Sequence, residues 1–530
     1  MKKQHVIKLA VIAVAGLVPI YCPPANTTPL TIITDTTTPI VSCSAQLDTD
    51  NQFSKTIMLQ AAKPSGEEII TPINIKWDDG WFDVPATKYN AELAIASVAL
   101  SGSTYLGDAP LTEFGFSDIK TYDSYKSTSM EDNHSVAYTF GKKDTDTGTI
   151  VAVVIRGTCT YEWYSNFEIG QEINHKGFDI AAAQLKDNLL EYIEDLDDVK
   201  ILFTGHSRGG GVANLLAAEF SESMLAEDIY AYTFASPNVS LQVKPYENIF
   251  NIINPQDFVT KVPLGVWGYS RNGIDLLLPS RSYYGEYDDL FGVTRKEFFD
   301  LTGEDFSVLE DNGIISVDSL VDDIYSLSPS VWHYYNSRQN ANFPTMFECM
   351  EMLANYLVTD NVRPMLDATI KYHSYIGGVF NKLSNARVIL THSPITYYSW
   401  MVALEDDIST SASFDRVVIS SPVDVYVYDE YENLVASIVD ETIVENTLAV
   451  YVADGVKTID LPSSNQYKVK VVAYNKGSME YTVHSMTATA AQSIVEDTVI
   501  LEGIKIEKGD IVNVSDTSFI VDDKLASQPI

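Results

Sequence analysis

Gly205-His206-Ser207-Arg208-Gly209 sets a serine between two glycines, with an apolar run before it (200–203) and a small-residue helical pattern after it (212–220). A serine hydroxyl becomes a useful nucleophile only when the backbone presents it openly and a base takes its proton. A Gly-x-Ser-x-Gly turn from strand into helix meets the first requirement: the serine takes a strained conformation with its oxygen exposed. The glycines are needed because side chains there would collide with the neighbouring strand and helix. The start of the following helix offers N–H groups and positive potential to a developing oxyanion. Ser207 is therefore the candidate nucleophile of an acyl transfer, and the main-chain N–H of Arg208 a candidate oxyanion donor. His206 adjoins the nucleophile, but adjacent residues on a tight elbow point in different directions, so a structural role is expected for it.

An attacking serine also needs an imidazole to accept its proton and a carboxylate to hold that imidazole. In a strand–elbow–helix setting the chain order is serine, acid, histidine. Asp257 follows the apolar run 249–253 and precedes Val259 and the helix-excluding Pro263. A carboxylate at the C-terminal end of a core strand reaches the sheet edge where the elbow opens. The histidines beyond it are His333, His373, His392 and His484. His484 sits in a β-rich stretch with no evident route to the site. His333 is flanked by Trp332, Tyr334 and Tyr335, a setting suited to aromatic packing, and His392 lies in the segment 388–400, which reads as a short apolar run, a loop and then a helix. These features leave His333, His373 and His392 open as the base.

The elements that must position these residues follow from periodicity. Residues 148–155 form a nearly unbroken β-branched run, the mark of a strand buried on both faces, and 178–196 show a one-sided helical pattern. Residues 200–203, 229–234 and 249–253 read as further buried strands, with the helix 212–220 between the first two. Such alternation predicts an α/β fold, a mostly parallel sheet with helices on both faces. From about 275 to 385 the rhythm breaks into an aromatic, acidic stretch, read as an insertion over the sheet with a helix at 344–358, where Pro344 suits a first helical position. Beyond about 411, short alternating segments separated by turns predict a β-sandwich-like module. The expected organisation is an export segment at 1–45, a catalytic domain at 46–410 and a β-rich module at 411–530.

Five motifs in order carry a resemblance: Ile155-Arg156-Gly157-Thr158, His175-Lys176-Gly177-Phe178, Thr204 to Gly209 around the serine, Thr233-Phe234-Ala235-Ser236-Pro237, and Asn254 to Pro263 around Asp257. Together they resemble the fungal-type (class 3) lipases of the α/β-hydrolase superfamily, specifically their bacterial secreted relatives. The likeness is firm over about 130–275 and looser over 385–402. It implies Ser207 as nucleophile, Asp257 as acid, His392 as base, and Thr158 with the N–H of Arg208 as the oxyanion site. The activity it implies is cleavage of carboxylic esters, lipids foremost, through an acyl-enzyme, with no metal or organic cofactor. Two departures stand out. Arg208 replaces the more usual leucine, which is expected to put a charge at the mouth of the site. The long insertion before His392 removes any guide to the lid and acyl pocket.

Composition bounds the partners. The chain has 530 residues, 45% hydrophobic, with 72 acidic and 35 basic residues and a net charge of −37. A surface that negative repels phosphate backbones, which excludes nucleic acid as an expected partner. Lys2 and Lys3 followed by an apolar run at about 9–21 read as a signal sequence, too short to span a bilayer comfortably. The expected location is thus extracellular or the cell envelope, with transient contact at a lipid surface. Cys43 lies far beyond that run for a lipid anchor, and Cys159 and Cys349 are read as thiols rather than a bridge. Two rivals use the same features: a non-catalytic adhesion or carbohydrate-binding protein on a hydrolase scaffold, and an acyltransferase. Oligomeric state is not legible.

Overall fold

The computed structural model describes residues 52–122 (without 65–67), 136–158, 163–166, 172–306 (without 266–267 and 285–286), 388–404 and 412–526 (without 454, 490–492, 516–517 and 522–523), with 315, 317, 318 and 321. The stretch read as a signal sequence, the helix expected at 344–358, all four cysteines, His333 and His373 lie outside the described residues.

The chain enters through an antiparallel hairpin, β1 (Gln52–Ala62) and β2 (Glu68–Asp78), and a helix α1 (Ala91–Ser103). Asn90 caps that helix by accepting from the N–H of Leu93, satisfying one of the donors a helix start leaves open. A seven-stranded sheet follows in simple order: β3 (Ser117–Tyr122), β4 (Tyr138–Thr145), β5 (Gly148–Ile155), β6 (Val199–His206), β7 (Ile229–Phe234), β8 (Ile249–Ile253) and β9 (Ile274–Leu277). The first three strands pair antiparallel, and β5 through β9 pair parallel. Parallel neighbours need crossovers. Two of these are α3 (Lys176–Ile193) between β5 and β6, and α4 (Arg208–Ser223) between β6 and β7; a short helix α2 (Trp163–Asn166) precedes α3.

Strand β5 shows why the run is apolar throughout. Ile150, Ala152 and Val154 join a core with Leu93, Val98 and Leu100 of α1, whereas Val151, Val153 and Ile155 join a second core with Leu185 and Leu189 of α3 and Val212 and Leu216 of α4. Both faces are covered, so alternation would have left polar groups buried. The stretch read as an insertion begins differently from expectation. Ile274–Leu277 is the last parallel strand of the sheet, hydrogen-bonded to β8. Four residues between Gly273 and the Leu278-Pro279 break, with Asp275 among them, were too few to register as a strand by pattern. Beyond it, α5 (Tyr287–Thr302) packs with Trp400 of a later helix through Tyr287 and Phe291. His392 ends a short helix α6 (Val388–His392), where a loop had been expected, and α7 (Pro394–Leu404) follows at once.

Between residues 412 and 526 a five-stranded and a seven-stranded sheet form, every pairing antiparallel. Val417, Ile419, Ile459 and Tyr481 of the first share one core with Val425, Val427, Ile438 and Val471 of the second. This is a sandwich. It abuts the rest of the chain through Tyr283, which clusters with Phe414, Met486 and Ala488.

Candidate active site

Ser207 stands at the junction of β6 and α4 with φ 58° and ψ −128°, a left-handed backbone that a non-glycine residue adopts only when its surroundings enforce it. Two glycines allow the junction. A Cβ on Gly205 would lie 2.4 Å from the main chain of Gly209, and one on Gly209 would lie 2.3 Å from the carbonyl oxygen of Ile155. The start of α4 therefore rests directly on the end of β5, which brings the Arg156–Thr158 loop beside the elbow. The N–H of Ser207 donates to the carbonyl of Phe234 at 2.9 Å, tying the elbow to β7 as well.

His392 meets the serine from a segment 185 residues later. Its Nε2 is 2.9 Å from Ser207 Oγ and its Nδ1 is 2.7 Å from Asp257 Oδ2. Asp257 follows β8 and caps a 3-10 turn (Phe258–Lys261), its Oδ1 accepting from the N–H of Val259 at 2.9 Å. Tyr397 Oη donates to Asp257 Oδ2 at 2.8 Å and accepts from the N–H of Asn254 at 3.1 Å. Both acid and imidazole are buried. An ionised carboxylate only accepts, so the proton shared with it belongs to Nδ1, and the Nε2 lone pair faces the serine hydroxyl. That is the arrangement required to deprotonate Ser207 and stabilise the resulting imidazolium.

His206 braces His392 rather than taking its place beside Ser207. Its Nε2 donates to the main-chain carbonyl of His392 at 2.7 Å, which leaves Nδ1 to accept from Tyr105 Oη at 2.8 Å. Burial, then the neighbouring His392 ring, hold its pKa well below the usual histidine range. His175 behaves alike. Burial lowers its pKa to about 3, and its Nε2 donates to the carbonyl of Asn166 at 3.1 Å. Both imidazoles stay neutral in the fold but take a proton near 6.5 once the chain unfolds. The unfolded state then binds more protons, so stability falls as pH drops below that value. The expected loss is ~1.4 kcal/mol per pH unit for each ring between about pH 6.5 and about pH 5. Urea unfolding across that interval measures it, and His175→Gln should flatten the slope by one such increment; an unchanged slope would rule the account out.

Thr158 is buried in the loop that follows β5, and its hydroxyl oxygen accepts from Asn166 Nδ2 at 2.7 Å. The Arg208 N–H begins α4, the end of a helix that suits negative charge. Its side chain is not at the mouth of the site, as the sequence suggested. The guanidinium is buried, donating to Asn166 Oδ1 at 3.0 Å and Gly177 O at 3.4 Å and lying over the Phe178 ring. The α2 carbonyl of Ser165 would sit 1.9 Å from a Cβ at Gly177, so the glycine of His175-Lys176-Gly177-Phe178 is what lets α3 dock on α2. Pattern reading missed Asn166, Tyr105 and Tyr397 as partners of the site. Only Tyr397 carried a signal, a tyrosine one turn beyond the candidate histidine.

Among the described residues no group of three or more histidine, cysteine or acidic side chains could hold a metal, and no helix is long and apolar enough to cross a membrane. His484 is in the sandwich, its Nδ1 against Thr498 Oγ1.

Residues 128–267 match the family model for lipase (class 3). Thr158, Ser207, Arg208 and Asp257 fall inside the match, and His392 falls outside it. Among solved structures, a deletion variant of the Rhizomucor miehei lipase propeptide complex is 19% identical, over 36% of this chain and 65% of its own, with a TM-score of 0.27. Lipase II from Rhizopus niveus is 16% identical, over 35% of this chain and 77% of its own, with a TM-score of 0.27. The lipase from Rhizopus microsporus var. chinensis is 16% identical, over 35% and 71%, with a TM-score of 0.24. This chain thus spans less than two thirds of the first of these structures. Residues 128–267 are thus similar to the class 3 lipases, and they include the parallel strands that flank the elbow.

Proposed function

We propose that this protein is an exported lipase-like serine hydrolase that cleaves carboxylic esters by way of an acyl-enzyme, with Ser207 as nucleophile, His392 as general base and Asp257 as the orienting acid. The observation that carries the reading is the unbroken chain Ser207–His392–Asp257, at 2.9 and 2.7 Å, ending on a strained elbow. His392 Nε2 takes the hydroxyl proton as Ser207 Oγ attacks the ester carbonyl. The oxyanion is held by the N–H of Arg208 and by Thr158. As the tetrahedral intermediate collapses, the imidazolium returns its proton to the leaving alcohol. Water, deprotonated by the same imidazole, then releases the acid. Asp257, held by Tyr397 and the N–H of Val259, keeps the ring in one tautomer throughout.

The substrate is taken to be a lipid ester met at a lipid surface, since the class 3 lipase segment and the aromatic-rich stretch before His392 both suit an apolar acyl chain. Residues 46–410 would form the hydrolase unit and 411–530 an accessory sandwich. Export rests on the basic and apolar N-terminus. A fluorophosphonate probe should label the wild-type chain and fail to label Ser207→Ala; equal labelling of the two would leave a non-catalytic scaffold as the better reading. Hydrolysis of p-nitrophenyl esters of graded length tests the substrate class, and a sharp fall beyond short chains would count against lipids.

A further inference from the structure

Asn166 lies between the two groups proposed to hold the oxyanion. Its Nδ2 reaches Thr158 Oγ1 at 2.7 Å, and its Oδ1 receives Arg208 Nη1 at 3.0 Å. The two ends of a carboxamide differ only in what they can do: the oxygen accepts and the nitrogen donates. A guanidinium can only donate, so the end that faces Arg208 must be the oxygen. The nitrogen therefore faces Thr158, and there it is a donor. A hydroxyl oxygen that accepts from an amide has its own hydrogen to give elsewhere.

We propose that the Arg208 guanidinium, acting through Asn166, sets the polarity of the Thr158 hydroxyl so that its hydrogen points to the oxyanion rather than into the protein. Arg208 then contributes twice, with its main-chain N–H as a direct donor and its side chain as a positioning group. This rests on the serine hydrolase reading above. The rest of the local structure holds the relay in register. The α2 segment is fixed from behind by His175, whose Nε2–H donates to the Asn166 carbonyl at 3.1 Å, and by Ser165 Oγ, which donates to Gly177 O at 3.0 Å. His175 can keep this up because burial keeps it neutral, with one nitrogen committed to donating. The guanidinium is itself seated on Gly177 O and the Phe178 ring. An arginine beside the nucleophile, which has no evident use as a surface charge, is thereby accounted for.

The near-isosteric Asn166→Asp change reverses the relay. A carboxylate cannot donate, so the Thr158 hydroxyl must donate to it, and one oxyanion donor is withdrawn. Loss of one such donor lowers kcat by ~10²-fold or more. With the full-length protein and a short p-nitrophenyl ester, Asn166→Asp should therefore lower kcat by about that factor and leave KM little changed. An alkylboronic acid, which mimics the tetrahedral oxyanion, should weaken by a similar factor. Thr158→Val should lose as much, Thr158→Ser should retain most activity, and Asn166→Asp added to Thr158→Val should lose nothing further. If Asn166→Asp stays within twofold of wild type, or if the two losses multiply in the double variant, the relay is refuted while the hydrolase reading stands. A wild-type chain that neither labels with fluorophosphonate nor turns over ester would defeat that reading and this inference with it.

Discussion

Replacing His392 by alanine should lower kcat by about 10⁵- to 10⁶-fold, and adding Ser207→Ala should lower it hardly further. The imidazole bridges Ser207 Oγ at 2.9 Å and Asp257 Oδ2 at 2.7 Å, so neither neighbour can use its function without it. Groups that act as a unit fail together, and their separate losses do not multiply. Asp257→Asn should be milder, about 10⁴-fold, because it leaves the packing but removes the acceptor that fixes the proton on Nδ1. The remaining rate over water would come from the oxyanion donors and binding alone. Steady-state kinetics with a soluble ester, on variants whose unfolding midpoints match the wild type, measure all three. A His392→Ala enzyme within tenfold of the wild type would mean that another base serves Ser207.

How far the site was legible before the fold depended on distance along the chain. Ser207 announced itself because everything that shapes it is local: strand, glycines, helix, all within a few residues. Asp257 was nearly as clear, since a carboxylate directly after a core strand has one end of the sheet to go to. His392 was open among three histidines by residue type alone, because what selects it is tertiary. The carbonyl of His392 is grasped by His206, and Tyr397, one turn on, reaches the same carboxylate as the ring. No period or composition encodes such a meeting. Arg208 was misjudged for a related reason. A charged side chain after the nucleophile was expected in solvent, yet Asn166 and Gly177 O supply buried acceptors that no local pattern reveals. The strands of the sheet were plain where apolar runs were long, as at Gly148–Ile155, and were missed at Ile274–Leu277, where four residues give too short a signal.

Arg416→Met should destabilise the whole protein by about 3–5 kcal/mol, the usual result of stripping one partner from a buried ion pair. Arg416 Nε and Nη2 grip both oxygens of Asp460, at 2.7 and 2.9 Å, while Nη1 reaches Asp318 at 2.9 Å. Asp460 is fully buried. With the guanidinium gone it keeps its desolvation penalty and loses the fork that offset it. The cluster also joins two parts of the chain, because Arg416 and Asp460 belong to the sandwich and Asp318 precedes His392 in sequence. Ser493 of the sandwich donates to Asp318 as well, at 3.1 Å, and Lys261, four residues after the candidate acid, reaches the carbonyl of Thr489 at 3.5 Å. The sandwich is thus bonded to the loop that carries Asp257, and a loss at Arg416 should be felt by both parts together. Calorimetry should show one transition, lowered by about 3–5 °C for a cooperative unit of this size, with ester hydrolysis and sandwich structure lost at the same temperature. The double variant Arg416→Met with Asp460→Leu separates charge from packing. Removing both members of a buried pair is often close to neutral, so it should regain most of the lost stability. A double variant as unstable as the single one would place the effect in lost packing rather than in the stranded carboxylate.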